Sequence, residues 1–180
     1  MERVKSQIAD LSGERRGHVS IACSQALLPY LLPEQIAIYR GKNPGVTFGV
    51  LLRDRAAAEQ ALVDFSADLV LVFEPVRLLE FQNLLSIRQP LHAVMAAAHP
   101  LAQQQSVRLR ECLRYPVVLP TENFGVRHLL EAAVRRTSQT LNPVVVSDSF
   151  EFLRNHAVAE NVVAFQIPIG LPALDEQAGV

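Results

Sequence analysis

Gly17-His18-Val19-Ser20-Ile21-Ala22-Cys23-Ser24-Gln25-Ala26-Leu27-Leu28-Pro29-Tyr30-Leu31-Leu32-Pro33 reads as a strand, a polar turn and a helix. Val19 and Ile21 alternate with small or polar residues, as in a strand with one buried face. Ser24 and Gln25 then place a hydroxyl and an amide where the helix should begin, and Leu27, Leu28, Leu31 and Leu32 supply its buried side. The first backbone N–H groups of a helix have no partner within it, so they point at whatever lies beyond the strand's end. A small polar or anionic ligand fits such a junction. Ser24 has an alternative job there, capping the helix with its hydroxyl.

A chain of 180 residues has room for one domain or two small lobes around a real core. Hydrophobic residues make up 49% and charged residues 19% of it, the balance of a soluble globular protein. Its longest apolar runs, such as Ala93 to Ala98, fall far short of the about 20 residues that cross a bilayer, so no membrane partner is expected. Met1-Glu2-Arg3-Val4-Lys5 leads into an amphipathic stretch and not into an apolar signal core, which implies a cytoplasmic location. Seventeen basic residues are scattered among 18 acidic ones, for a net charge of −1. Duplex DNA needs a concentrated basic face, so this chain alone should not grip it. Cys23 and Cys112 lie far apart, with no metal-ligand spacing, and read as reduced and buried. No metal or cofactor is expected.

Upstream, Val4, Ile8 and Leu11 recur at helical spacing before Gly13, and Glu14-Arg15-Arg16 forms a charged linker. Downstream, Asn43-Pro44-Gly45 is a turn, Val46 to Leu52 a strand, Ala56 to Val63 a helix with Ala57, Ala61 and Leu62 inward, and Asp68 to Phe73 a strand buried on both faces. This β-α-β-α-β order predicts parallel strands, with ligands beyond their carboxyl ends at Ser24-Gln25, Arg53-Asp54 and Glu74-Pro75. A short segment at Leu84 to Ile87, a strand at Leu91 to Ala97 and a helix at Ser106 to Leu113 follow. The pattern then repeats. Pro116 to Pro120 is a strand, Thr121-Glu122-Asn123 a turn, and Phe124 to Thr137 a helix with Val126, Leu129, Leu130, Ala133 and Val134 inward. Pro143 to Ser147 is a strand, Ser149 to Val158 a helix with Phe152 and Leu153 inward, and Val162 to Phe165 a strand. The expected architecture is α/β, two Rossmann-like lobes joined by crossover strands: 1–16 as linker helix and linker, 17–94 as the first lobe, and 95–180 as the second with the start of a return. The polar turns of both lobes would line the cleft.

Arg16-Gly17-x-Val19-x-Ile21, Leu32-Pro33, Asn43-Pro44-Gly45-Val46, Asp68-Leu69-Val70-Leu71, His99-Pro100-Leu101-Ala102 and Val163-Ala164-Phe165-Gln166-Ile167-Pro168 occur in that order over residues 4 to 170. In order and spacing the chain resembles the effector-binding domain of LysR-type transcriptional regulators. The resemblance implies a periplasmic-binding-protein-like (type 2) fold, a cytoplasmic bacterial regulator, a small-molecule effector between the lobes, and homodimers or higher homo-oligomers. It implies DNA contact only through an N-terminal winged helix-turn-helix, of which Met1 to Leu11 would be the tail of the connecting helix. It also implies further elements after Val180 that complete the first lobe. Carried over by position, ligand contacts fall on Ser24, Gln25 and Ala26, on Thr121, Asn123 and Phe124, and secondarily on Ser149, Phe150 and Gln166. Where the family has a glycine pair, this chain has Ala159-Glu160-Asn161, and Asn161 is suited to the left-handed turn.

Two other readings compete with a sensor. A free solute-binding protein of the same fold should carry a signal peptide. An enzyme could assemble Ser24, His99 and Asp148 on paper, but no GxSxG, HExxH or glycine-rich phosphate loop is present, and His99 sits in a turn that suits a solvated role. No catalytic residue is expected. Glu74, Glu122 and Arg127 give the proposed site mixed charge, so an anionic and a cationic effector both stay open, with a carboxylate-bearing one favoured at a helix start.

Overall fold

The computed structural model describes residues 15–75, 81–137 and 139–172. The expected N-terminal helix and the stretch from Leu174 to Val180 lie outside them. By contacts the chain falls into two compact units, Met1–Asn83 and Leu84–Val180. The division comes before the expected boundary at 94, because the strand around Ala93 pairs within the second unit.

In unit one, β1 (Gly17–Cys23) lies between β2 (Val46–Leu52) and β3 (Leu69–Leu71), parallel to both. Alternation along β1 sends its side chains to two cores. Ile21 and Cys23 pack with Leu32 and Ile36 of α1 (Leu31–Lys42), while Ala22 packs with Ala58 and Ala61 of α2 (Arg55–Val63). Alanines on both sides of that second contact let helix and sheet approach closely. Asp54 caps α2, its Oδ1 accepting from the Ala57 N–H at 2.8 Å. Of the three residues expected inward on α2, Ala61 is buried, but Ala57 is exposed and Ala58 takes its place.

Two expectations for this unit are corrected. The helix predicted to begin at Ser24 is a single 3-10 turn, Gln25–Leu27, and the α-helix starts at Leu31. Pro29 is the reason. A helix begun at Gln25 would need the N–H of residue 29 to bond the Gln25 carbonyl, and proline has none; Pro33 sits in the first turn of α1, where that N–H is not needed. The strand expected to be buried on both faces is also different. β3 pairs only with β1 among the described residues, and Leu69 is 38% exposed.

In unit two, β5 (Val117–Pro120) and β6 (Pro143–Ser147) are parallel, and β4 (His92–Val94) runs antiparallel to β7 (Ala164–Gln166). Val163, just before β7, joins the two pairs: its carbonyl accepts from Val118 at 2.9 Å and its N–H donates to Pro116 at 3.0 Å. β5 is buried throughout. Val117 and Leu119 meet Leu130 of α4 (Gly125–Val134) and Cys112 of α3 (Leu109–Cys112), and Val118 meets Leu153 and Ala157 of α5 (Phe150–Ala159). Leu129, Ala133 and Phe152, expected inward, are exposed, because the stripe that faces the sheet runs through Leu130 and Val134 on α4 and through Phe150, Leu153 and Ala157 on α5. Leu84 to Ile87 belong to no strand or helix, with Leu84 and Leu85 71% and 75% exposed.

Asn161 has φ of 53°, the left-handed turn its side chain suits. Phe65 also has positive φ, 60°, and is 86% exposed, so it keeps a strained backbone with little burial in return. Phe65→Gly is expected to raise stability by up to about 1 kcal/mol in urea unfolding, and Asn161→Val to lower it by roughly 1–2 kcal/mol. A fall in the first variant, or no change in the second, contradicts this account of the two turns.

Candidate functional site

Parallel strands deliver their following turns to one edge of a sheet, and ligands of such folds bind at that carboxyl edge. In unit one the edge is stitched across strands. Ser24 N–H donates to the Leu71 carbonyl and Arg53 N–H to the Cys23 carbonyl, each at 3.0 Å, so the ends of the three strands are held together. Ser24 has extended backbone, its carbonyl accepts from Leu27, and its hydroxyl makes no capping bond. Ser24 and Gln25 are half-buried, whereas Ala26 is 4% exposed. The Ala26 methyl therefore belongs to the core. A three-residue 3-10 turn also has too few aligned peptides for an appreciable dipole, so the helix-start argument for an anion at Ser24 does not hold.

That argument moves to unit two. α4 is a full ten-residue helix whose N-cap, Phe124, supplies no side-chain acceptor; its carbonyl takes the Arg127 N–H at 2.9 Å, which leaves the Gly125 and Val126 N–H groups for another partner. Thr121 is tied to the neighbouring strand end, its N–H donating to the Ser147 carbonyl at 3.1 Å, and its own carbonyl accepts from Phe124 at 3.2 Å. Asn123 is exposed beside it. The adjacent turn comes to the same edge through Phe150, whose ring meets Phe124 edge-on with centroids 5.0 Å apart. Four of the sequence-predicted residues, Thr121, Asn123, Phe124 and Phe150, thus share one edge of one unit.

Ser149 and Gln166 are engaged elsewhere. The Ser149 hydroxyl caps α5 by accepting from Phe152 N–H at 3.2 Å. Gln166 is 4% exposed, and its amide donates to the Gly170 carbonyl at 2.6 Å, which fixes the chain after β7. Sequence reading passed over Arg154. It is only 9% exposed, four residues beyond Phe150 on the same helical stripe, and a cation within an apolar stripe was the available signal. Arg127, half-buried, pairs with Glu131 at 2.7 Å, and that guanidinium holds the Glu131 carboxyl below its usual value.

His99 does not fill the solvated role expected for it. It is 1% exposed, its Nδ1 accepts from Leu101 N–H at 3.2 Å, and its ring meets Tyr115 edge-on at 4.6 Å. Burial lowers its pKa, and a proton on Nδ1 would also oppose the Leu101 N–H. Asp148 is exposed. Both cysteines are buried and free; burial raises the Cys23 thiol to about 11 and also raises Cys112. Among the described residues, no group of three or more His, Cys, Asp or Glu could hold a metal ion, and no helix is long and apolar enough to cross a membrane. Unit two also has a cavity of about 270 Å³, lined by Leu113, Tyr115, Val117, Gln139, Thr140 and Asn142, at the amino ends of β5 and β6.

Comparison with known proteins agrees with the α/β fold. Residues 12–173 match the family model described as LysR substrate binding domain. The RuBisCO operon transcriptional regulator of Allochromatium vinosum is 25% identical over 162 residues, 90% of this chain and 52% of that protein. The crystal structure of HinK, a LysR family transcriptional regulator from Pseudomonas aeruginosa, aligns with a TM-score of 0.77 at 21% identity, covering 98% of this chain and 61% of HinK. The effector binding domain of QuiR in complex with shikimate aligns with a TM-score of 0.69 at 15% identity, covering 84% and 74%. The chain spans about half the length of the curated relatives it matches.

The His99 environment makes stability depend on pH with a definite sign. Its folded pKa lies below the unfolded value of about 6.5, so its contribution is present above that value and is lost as pH falls through the folded pKa. His99→Asn keeps an acceptor for Leu101 N–H and removes the titration. Urea midpoints measured at about pH 7.5 and about pH 5.5 are expected to differ less in this variant than in the wild type. Equal differences contradict the assignment.

Proposed function

The chain belongs to the LysR substrate binding domain family, and from that premise we propose that it senses a small, polar, carboxylate-bearing effector for a cytoplasmic transcriptional regulator. It performs no chemistry. Ligand binding shifts an equilibrium between arrangements of the domain, and linkage passes that shift to the DNA-binding part of the full-length regulator. The observation that carries this reading is the uncapped start of α4 beside Thr121 and Asn123. The Gly125 and Val126 N–H groups hold the carboxylate, and the Thr121 and Asn123 side chains add hydrogen bonds. Arg154 contributes positive charge, because helical side chains lean toward the N-terminus of their own helix and so toward Phe150. The Phe124–Phe150 pair offers an apolar wall. On the carboxyl edge of unit one, Ser24, Gln25 and the Ala26 N–H are further effector contacts, as the family resemblance implies. Ser149 and Gln166 shape the site by holding its backbone. Shikimate, the ligand named for QuiR, is a small hydroxylated carboxylate of this class and is the first compound to try.

Calorimetry on the wild type and Ser24→Ala tests the assignment, with shikimate and other small carboxylates as titrants. Loss of one neutral hydrogen bond is expected to weaken binding by about 0.5–1.5 kcal/mol. Melting should barely move, because the hydroxyl caps nothing. Equal affinities would place the ligand away from Ser24.

A second copy of the chain is the other partner. α1 buries Leu32 and half-buries Ile36 against the sheet, with Tyr39 meeting Phe48 on the same stripe, while Ile38 is 51% exposed on its outer side. In unit two, Leu129, Val144 and Val146 are each at least half exposed. Apolar faces on both units suit an isologous pairing in which each protomer covers the other. Ile38→Glu is expected to shift sedimentation toward monomer at micromolar concentration, with melting of the monomer unchanged. A variant that associates like the wild type removes α1 from the interface.

A further inference from the structure

The cavity at the amino ends of β5 and β6 lies at the opposite end of those strands from Thr121 and Phe150. Its walls are already ordered. The Thr137 hydroxyl donates to the Val134 carbonyl at 2.8 Å and accepts from Gln139 N–H at 3.2 Å, which bends the chain back after α4. The Gln139 side-chain amide then donates to the Arg110 carbonyl at 3.2 Å, tying this loop to α3. The Asn142 amide bonds the Thr140 hydroxyl at 3.1 Å. Tyr115 is held from behind by the buried ring of His99.

Each of these bonds uses one side-chain N–H of its amide and leaves the other N–H unspent. Gln139 Oε1 and Asn142 Oδ1 remain as acceptors without a partner among the described residues, beside the Tyr115 hydroxyl, over a floor of Leu113 and Val117. None of the lining side chains is ionised. An anion would meet acceptor oxygens among the amide N–H groups and no cation, whereas a hydroxyl both donates and accepts and so satisfies the two kinds of group together. The volume of about 270 Å³ lies near the lower end, roughly 300 Å³, of pockets that hold small molecules.

We propose that this cavity is a second ligand site, for a small uncharged polyol of about the size of a single sugar ring, separate from the effector site. Occupancy clamps the loop between α4 and β6 against α3 and stabilises unit two by mass action.

The test uses the ¹⁵N-labelled full chain, with myo-inositol as the uncharged probe and D-gluconate as a hydroxylated anion. Inositol should give saturable NMR shifts at the Gln139 and Asn142 side-chain amides, while gluconate leaves them unmoved. Asn142→Ala should weaken inositol binding by about threefold to tenfold, the loss of one neutral hydrogen bond. Tyr115→Phe, which keeps the ring against His99, should do the same, and Ser24→Ala should bind as the wild type does. Absence of saturable shifts, equal shifts with gluconate, or undiminished affinity in both cavity variants would overturn the proposal.

Discussion

Parallel pairing of β1 with β2 and β3, and of β5 with β6, is the constraint on which the candidate site depends. A parallel strand cannot be joined to its neighbour by a tight hairpin, so each connection crosses a face as a helix and every polar turn after a strand emerges at one edge. The cross-strand bonds Ser24 to Leu71, Arg53 to Cys23 and Thr121 to Ser147 then fix those turns to the strand beside them. A polar group held in this way loses little further freedom when it meets a ligand, which is the physical basis of preorganised binding.

The strands were legible in the sequence because their composition follows burial. Runs such as Val117-Val118-Leu119 pack on both faces, and alternation in Val19-Ser20-Ile21-Ala22 marks a sheet with different neighbours on each side. The left-handed turn at Asn161 was legible from one residue type. Helix starts were less so. Leu27, Leu28, Leu31 and Leu32 have helical spacing, but spacing does not register that Pro29 lacks the N–H on which continuation depends. His99 was misread for a related reason: its turn is polar by sequence, while its burial comes from Tyr115 and the surrounding apolar cluster, distant along the chain.

The site residues divide along the same line. Turns between a parallel strand and its helix can be named from sequence, which is why Thr121, Asn123, Phe124 and Phe150 fall on one edge. Whether a hydroxyl there faces a ligand or caps its own helix is a matter of a single rotamer and of where the helix begins. Ser149 caps; Ser24, ahead of a turn that Pro29 cuts short, does not. Arg154 was hidden because a cation on an apolar stripe is most simply read as solvent-facing, and only the packing of α5 puts it inside.

The central claim is that the effector is held at the carboxyl edges of the parallel strands. Backbone hydrogen exchange on the chain with and without saturating shikimate, or the small carboxylate that binds best, addresses it residue by residue. The account predicts slowed exchange at Ala26, Gly125 and Val126, whose N–H groups gain a partner. Slowed exchange confined to residues outside both turns, with these amides unchanged, would contradict it.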